Sequence, residues 1–467
     1  MADQDKPKPA MTTSRVSRGG RLGSLAVGQA VRRVGIRAGS SVLPSGVSAR
    51  LLDADAQRSA RELVRVLGSM KGAAMKVGQM LSLIDLDMVD PDHSAAFRKR
   101  LSNLQAEVPS VPFAAMQPHL EKDLGMTVAQ AYESFDEEAF AAASIGQVYR
   151  ARLHGGRQVA VKVQYPGVRS AVRADMKNLA LFLKLSKSLA PTVAVQSFVD
   201  ELAAQITSEL DYRAEQRTQQ ELSTFYSGHP YIYVPQTIPS HCGETTLTTD
   251  FVDGAPLADI EGANDNVRDR VGEIIYRFYQ GALFRDAEFN GDPHPGNVRI
   301  LKSGHVAFLD FGMFKRMDPT AVATEMRILD RAAAQDAEGV RSEMLTYGIV
   351  SDGSLVTAEQ CLTYVVDAAW WHLVNDHVRL RPRDVSKALS SVLLPTSEGF
   401  QSMRHETLPP EHAFSRRLDF LTAGTLASIR CAANWFAIDS EWIAGEPPST
   451  ELGEVDARWR AERRAML

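Results

Sequence analysis

Two acids and an amide in a fixed order carry the most chemical information in this chain. Asp292 is followed five positions on by Asn297, within Asn290-Gly291-Asp292-Pro293-His294-Pro295-Gly296-Asn297, and Asp310-Phe311-Gly312 begins thirteen residues later. Phosphoryl transfer to an oxygen nucleophile uses such a set: one carboxylate beside the attacking oxygen, an amide for one metal ion and a second carboxylate for the other. An Asp-Phe-Gly tripeptide alone occurs in ordinary turns, whereas Asp-x4-Asn ahead of it is far more specific. The transferring group is highly charged and is stabilised by cations, so the pattern calls for a lysine upstream.

Gln158-Val159-Ala160-Val161-Lys162-Val163 supplies it. The alternation predicts a strand with the three valines on one face and Ala160 and Lys162 on the other. In the kinase pattern V-A-I-K the small residue lies against adenine and the lysine holds the α/β-phosphates. One hairpin earlier, with His154-Gly155-Gly156 as its turn, stands Phe140-Ala141-Ala142-Ala143-Ser144-Ile145-Gly146 where a kinase carries its glycine-rich loop. Each alanine brings a Cβ that resists positive φ, so a loop here is stiffer over phosphates. The alternative reading of the alanine run is the first turn of a helix.

Four separated motifs now stand in order: Lys76-Val77-Gly78-Gln79, Ala141-Ala142-Ala143-Ser144, Glu209-Leu210-Asp211 and Asp292-Pro293-His294-Pro295-Gly296-Asn297. Together they resemble the UbiB/AarF family of atypical kinases, which includes ATPase/kinases of ubiquinone biosynthesis, over roughly residues 60 to 315. The resemblance implies a bilobal, α+β, protein-kinase-like fold with an N-terminal helical extension and a helical C-terminal region. The expected divisions are a basic arm (1–55), a helical extension carrying Lys-x-Gly-Gln (56–110), the small lobe and hinge (111–254), and the helical large lobe with the C-terminal region (255–467).

The resemblance also implies roles. Lys76 and Gln79 would lie across the cleft where a protein kinase receives peptide, with Glu209 or Asp211 as the partner of Lys76. Glu215 would pair with Lys162. Asn297 and Asp310 would hold Mg²⁺ or Mn²⁺, and Asp292 would be the base or water-positioning residue. ATP would sit under Ala141, Ala142, Ala143 and Ser144, with the backbone near Asp250 and Val252 meeting the base. The implied activity is that of an ATPase or small-molecule kinase of isoprenoid-quinone lipid metabolism; a Ser/Thr protein kinase and a nucleotide-binding pseudokinase scaffold are the competing readings. Two departures from relatives stand out: Asn290 where they have His, and Thr249-Asp250 where they more often have Met-Glu.

Periodicity predicts the elements that would position these groups. Leu63, Val66, Leu67, Met70, Ala74, Val77, Leu81 and Ile84 form a helical stripe, with Lys76 and Gln79 roughly opposite and Gly68, Gly72 and Gly78 inside the helix. A second helix is predicted from Phe198 to Phe225, with Phe198, Leu202, Ile206 and Leu210 inward, Asp211 and Glu215 on one face and Glu209 elsewhere. A third runs from Val271 to Asp286. The gap from Lys162 to Glu215 is longer than in ordinary protein kinases, which predicts a helical insertion around 168–190.

Composition sets outer limits. The chain has 467 residues, 44% hydrophobic and 23% charged, with net charge −5, which suits a globular enzyme and gives no basic excess for nucleic acid. Cys242, Cys361 and Cys431 are widely spaced, consistent with a reducing cytosol and with neither a disulfide framework nor a metal-ligand pattern. The apolar stretch Phe420 to Phe436 is interrupted by Arg430 and Asn434, so no membrane span is expected. Between Lys6 and Arg50 there are nine basic residues and no acid. That arm is either a solvated tail or a surface for anionic lipid, which places the expected protein in the cytoplasm or peripherally at the inner face of the membrane. Replacing Ala142 by glycine should restore backbone freedom and change nucleotide affinity or ATP/ADP preference; affinities for both nucleotides unchanged by the substitution would remove the alanine run from the site.

Overall fold

The computed structural model describes residues 111–173, 207–393, 397–403, 406 and 408–466. The basic arm, the Lys76–Gln79 helix and most of the 168–190 insertion lie outside the described residues, apart from a short helical stretch at 168–173. Two helices, α1 (Phe113–Leu124) and α2 (Val128–Ala131), lead into β1 (Ser134–Phe135), β2 (Ala141–Ala142), β3 (Gly146–Arg152) and β4 (Gln158–Gln164). Helix α3 (Tyr212–Phe225) and strand β5 (Ile232–Tyr233) precede β6 (Thr246–Asp250), which completes a five-stranded sheet ordered β1-β3-β4-β6, with β2 also pairing β3. Gly155 and Gly156 turn the β3–β4 hairpin at φ 114° and 89°, backbone that a Cβ would strain.

The period-two reading of β4 holds. Val159, Val161 and Val163 are fully buried against Tyr149, Met116 and Leu120, which leaves Ala160 and Lys162 on the other face. The alanine run is not a helix start: Ala141 and Ala142 pair with Val148 and Gln147, and none of the alanines adopts positive φ.

The larger part follows β7 (Gly254–Pro256). Its elements are α4 (Asp265–Asp286), β8 (Glu288–Asn290), β9 (Val298–Leu301), β10 (Val306–Phe308), β11 (Phe314–Arg316), α5 (Pro319–Ala333), α6 (Ala337–Tyr347), α7 (Ala358–Leu373), β12 (Val378–Arg379), α8 (Pro382–Leu393), α9 (Glu398–Met403), α10 (Pro410–Ser428), β13 (Ala432–Ala433), α11 (Trp435–Ile443) and α12 (Glu451–Met466). A small sheet ordered β5-β10-β9-β7 and the pairs β8–β11 and β12–β13 are embedded among these helices. One core joins them, with Trp371 and Trp435 inside it and Trp370 packed on its edge.

Two predicted boundaries move, both through caps. Helix α4 begins six residues earlier than Val271, because the Asn264 side chain accepts from the Val267 N–H and ends the helix cleanly at Asp265. The helix predicted from Phe198 to Phe225 is interrupted: the chain turns at Glu209–Leu210, Asp211 accepts from the Ala214 N–H as N-cap, and α3 starts at Tyr212. Residues 198–206 lie outside the described residues. The Phe420–Phe436 stretch is divided among α10, β13 and α11, and no described helix is long and apolar enough to cross a membrane. The three cysteines form no disulfide.

A charged cluster sits inside the large core. His372 Nδ1 lies 2.6 Å from Asp439 and Nε2 lies 2.5 Å from Asp419; Tyr276 donates to Asp439 at 2.5 Å and Gln280 to Asp419 at 3.2 Å. Burial alone would lower the imidazole pKa, but the two carboxylates outweigh it and push it up to about 9. A group protonated more tightly when folded stabilises the fold fully below its unfolded value near 6.5, and that contribution is lost as pH rises through about 9. His372→Gln should therefore destabilise by about 3 kcal/mol near neutrality, because it strands two buried carboxylates. The gap in melting temperature to the parent should narrow between about pH 7 and about pH 10; a constant gap would mean the imidazole is neutral.

Candidate active site

Strand β4 aims Lys162 out of the small sheet, opposite Val148 on β3 and Leu247 on β6. Its ammonium lies 3.0 Å from Glu215 Oε1 on α3 and 3.5 Å from Asp310 Oδ2, with the Tyr212 ring centroid 5.0 Å away. One cation thus serves two carboxylates. Burial works against the charged lysine, yet Asp310 and Glu215 together hold its pKa well above the ordinary value. Glu215 is pushed up to about 7, by burial first, with Lys162 opposing and the neighbouring Asp310 adding to the rise. The two acids differ in access: the Glu215 side chain is 2% exposed and Asp310 27%. Asp310 is the more accessible of the two carboxylates, and Glu215 is the one that pairs more closely with the lysine.

Asp292 and Asn297 are held together by their own hydrogen bonds. The Asn297 amide nitrogen donates to both the carbonyl and Oδ2 of Asp292 at 3.3 Å, so the amide oxygen Oδ1 is not used in that contact. Asp310 Oδ1 accepts from the Gly312 N–H at 3.1 Å, and Phe311 is buried. A hard divalent cation binds all-oxygen sets of this kind. The amide oxygen of Asn297 and the half-buried carboxylate of Asp310 are oxygen donors of that kind, so the residues present fit Mg²⁺ or Mn²⁺.

Two anchors for this loop were not legible as motifs. Asn290, buried at the end of β8, donates its side-chain amide to the Asp310 carbonyl and accepts from the Asp292 N–H at 3.4 Å, so one side chain spans both acidic residues. This gives the departure at position 290 a physical role. Thr425, fully buried on α10, donates its hydroxyl to the Pro293 carbonyl from 132 residues away. Only the Asn departure offered a signal in the sequence; Thr425 offered none. His294 accepts from the Gly296 N–H within the same loop.

The other expected residues are distributed around the slot. Ser144, at the tip of the alanine loop, donates to Glu209, which is buried beside the start of α3. Asp211 is exposed and committed to capping α3. Of the two carboxylates expected near the Lys-x-Gly-Gln helix, Glu209 is therefore the one turned toward the loop. Lys76 and Gln79 lie outside the described residues. At the hinge the Asp250 carboxylate is taken by Arg157 at 2.5 Å, so its side chain is not offered to a base. The Val252 N–H carries no hydrogen bond among the described residues, and Phe140 meets Phe251 edge-on beside it in sequence, with Arg150 4.0 Å over the Phe251 ring.

Comparison with known proteins agrees with this geometry. The family described as ABC1 atypical kinase-like domain matches residues 103–344. The rat protein named atypical kinase COQ8B, mitochondrial, is 31% identical, over 70% of this chain and 62% of its own length. The Xenopus laevis AarF domain-containing protein kinase 1 is 26% identical, over 68% of this chain and 60% of its own length. This chain thus spans less than two thirds of either relative. Among solved structures, Mycobacterium tuberculosis Rv3197, determined with erythromycin, superposes with TM-score 0.61 at 28% identity, covering 85% of this chain and 98% of that one.

Asn290→Asp keeps the shape of the anchor but turns its donor into an acceptor facing a carbonyl. It should raise the Mg²⁺ concentration needed for nucleotide to stabilise the protein in a thermal-shift titration by about tenfold, because a charge-assisted or buried hydrogen bond contributes roughly 1–3 kcal/mol. An unchanged metal requirement would reduce Asn290 to packing.

Proposed function

The chain belongs to the ABC1 atypical kinase-like family, the UbiB/AarF group, and from that premise we propose that it is an ATP-dependent atypical kinase or ATPase supporting isoprenoid-quinone lipid biosynthesis at a membrane surface. The observation that carries the reading is the assembled set of Lys162, Glu215 and Asp310: the ion pair is formed and the metal-side carboxylate is within reach of the same ammonium. Groups that must meet phosphate charge are pre-oriented, and such preorganisation is where most of the rate enhancement of phosphoryl transfer arises.

In this reading Lys162 contacts the α/β-phosphates and Glu215 keeps its ammonium aimed at them. Asp310 and Asn297 would hold Mg²⁺ or Mn²⁺, which would supply charge neutralisation to the transferring phosphoryl group. Asp292, held by Asn297 and Asn290, accepts the proton of the attacking hydroxyl or orients a water. Adenine is met by the Val252 N–H and the rings of Phe140 and Phe251. The acceptor is a small lipid-linked molecule; the basic arm between Lys6 and Arg50 suits an anionic surface.

Purified protein should turn over ATP only with Mg²⁺ or Mn²⁺, and faster with anionic liposomes. Asp310→Asn should abolish Mg-ATP stabilisation in a thermal-shift assay. A variant stabilised like the parent would refute the metal assignment, nucleotide binding without turnover would leave a pseudokinase scaffold, and efficient phosphorylation of peptide hydroxyls would favour the Ser/Thr protein kinase.

A further inference from the structure

Helix α3 carries Glu215, yet its two ends belong to different cores. Tyr212 is buried with the small sheet, whereas Leu222, Phe225 and the following Tyr226 pack into the large core. The direction of Glu215 therefore depends on whatever fixes the last turn of α3. That turn is covered by the C-terminal helix α12. The Trp459 ring lies 5.6 Å from Phe225 edge-on, 6.1 Å from Tyr226 nearly parallel, and 4.4 Å from His229. Arg463 Nη2 donates to the Thr224 carbonyl at 2.7 Å, a cation placed at the negative end of the helix dipole. The guanidinium groups of Arg460 and Arg463 each lie 5.4 Å from the Phe225 centroid.

Helix α12 is itself fixed to the catalytic part. Arg460 reaches Asp286 at the end of α4 and Asp456 on its own helix, both at 3.2 Å. Asp456 meets His229 at 3.1 Å and also Arg285. On another side, Arg316 of β11 bridges Glu221 of α3 at 3.0 Å and Glu288 of β8 at 2.7 Å. We propose that α12 is a strap for the Glu215 helix, with Trp459 and Arg463 as positioning residues of the Lys162–Glu215 pair. The proposal rests on the phosphoryl-transfer reading above and assigns a role to a segment outside its motifs.

The magnitudes make the strap consequential. A side chain extends about 5–6 Å from a helix axis, so a roll of about 20° carries a carboxylate roughly 2 Å. That displacement takes the 3.0 Å Lys162–Glu215 contact out of salt-bridge reach. Trp459 against Phe225 and Arg463 against the Thr224 carbonyl resist that roll at the end of α3 that the small sheet does not hold.

The test uses the full chain with Trp459→Ala, Arg463→Ala and, as control, Arg458→Ala at an exposed position of the same helix. The first two should lower kcat about tenfold with the nucleotide KM changed less than about threefold, and the control should match the parent. Should Trp459→Ala fail to fold, Trp459→Phe and Arg463→Gln carry the same expectation with a smaller loss. Independently of activity, Mg-ATP should slow tryptic clipping at the arginines of α12, because what the strap does for the pair the bound nucleotide must do for the strap. Folded variants with parental kcat, or clipping indifferent to Mg-ATP in a parent that turns ATP over, would overturn the strap alone. A parent that neither binds nor turns over ATP would overturn the nucleotide reading and the strap with it.

Discussion

A single ammonium shared by two carboxylates is the constraint around which the structure is arranged. Lys162 comes from a strand, Glu215 from a helix and Asp310 from a turn after the embedded sheet, and the three meet within 3.5 Å. Desolvation penalises each charge taken alone, and only their mutual proximity offsets it. Removing Lys162 would leave the buried Glu215 carboxylate uncompensated, so the strand and the helix that carry this pair are energetically obliged to stay in register.

Each half of the molecule supplies one side of that meeting. The small sheet buries its valine face and leaves Lys162 on the opposite one, while the large core seats the loop carrying Asp292 and Asn297. The loop is not self-supporting. Asn290 links it to the Asp310 segment, and Thr425 pins its Pro293 carbonyl from a helix far along the chain. Helix α3 crosses between the two cores and inherits its position from both. The C-terminal helices, which carry no motif, therefore set the geometry of groups that do.

The alanine loop and the hinge show how local chemistry narrows the slot. The β2–β3 pairing keeps the alanines at negative φ, and the Ser144 contact ties the loop tip to Glu209, next to the turn that starts α3. With the Asp250 carboxylate bound to Arg157, the hinge segment presents backbone and the Phe251 ring rather than a free charged side chain.

Much of this was legible in the residues themselves. Alternation in Gln158–Gln164, the Asp292, Asn297 and Asp310 spacing, and the glycines of the β3–β4 turn are local signals, because a strand period, a motif and a positive φ are each decided within a few residues. The α3 start was misread because apolar spacing through Leu210 continues smoothly, while the chain turns at Glu209–Leu210 and a single Asp side chain bonding back to the backbone starts α3 at Tyr212. The long-range partners were not legible at all. Thr425 with Pro293, Arg463 with Thr224 and His372 between Asp419 and Asp439 join positions whose neighbours in sequence say nothing of each other. Their energies come from desolvation and geometry that exist only once the chain is packed. The amino-acid sequence by itself determined which groups can do the chemistry; the tertiary structure decided how they are held, because a buried charge or hydroxyl acquires its partner only when distant segments exclude water around it.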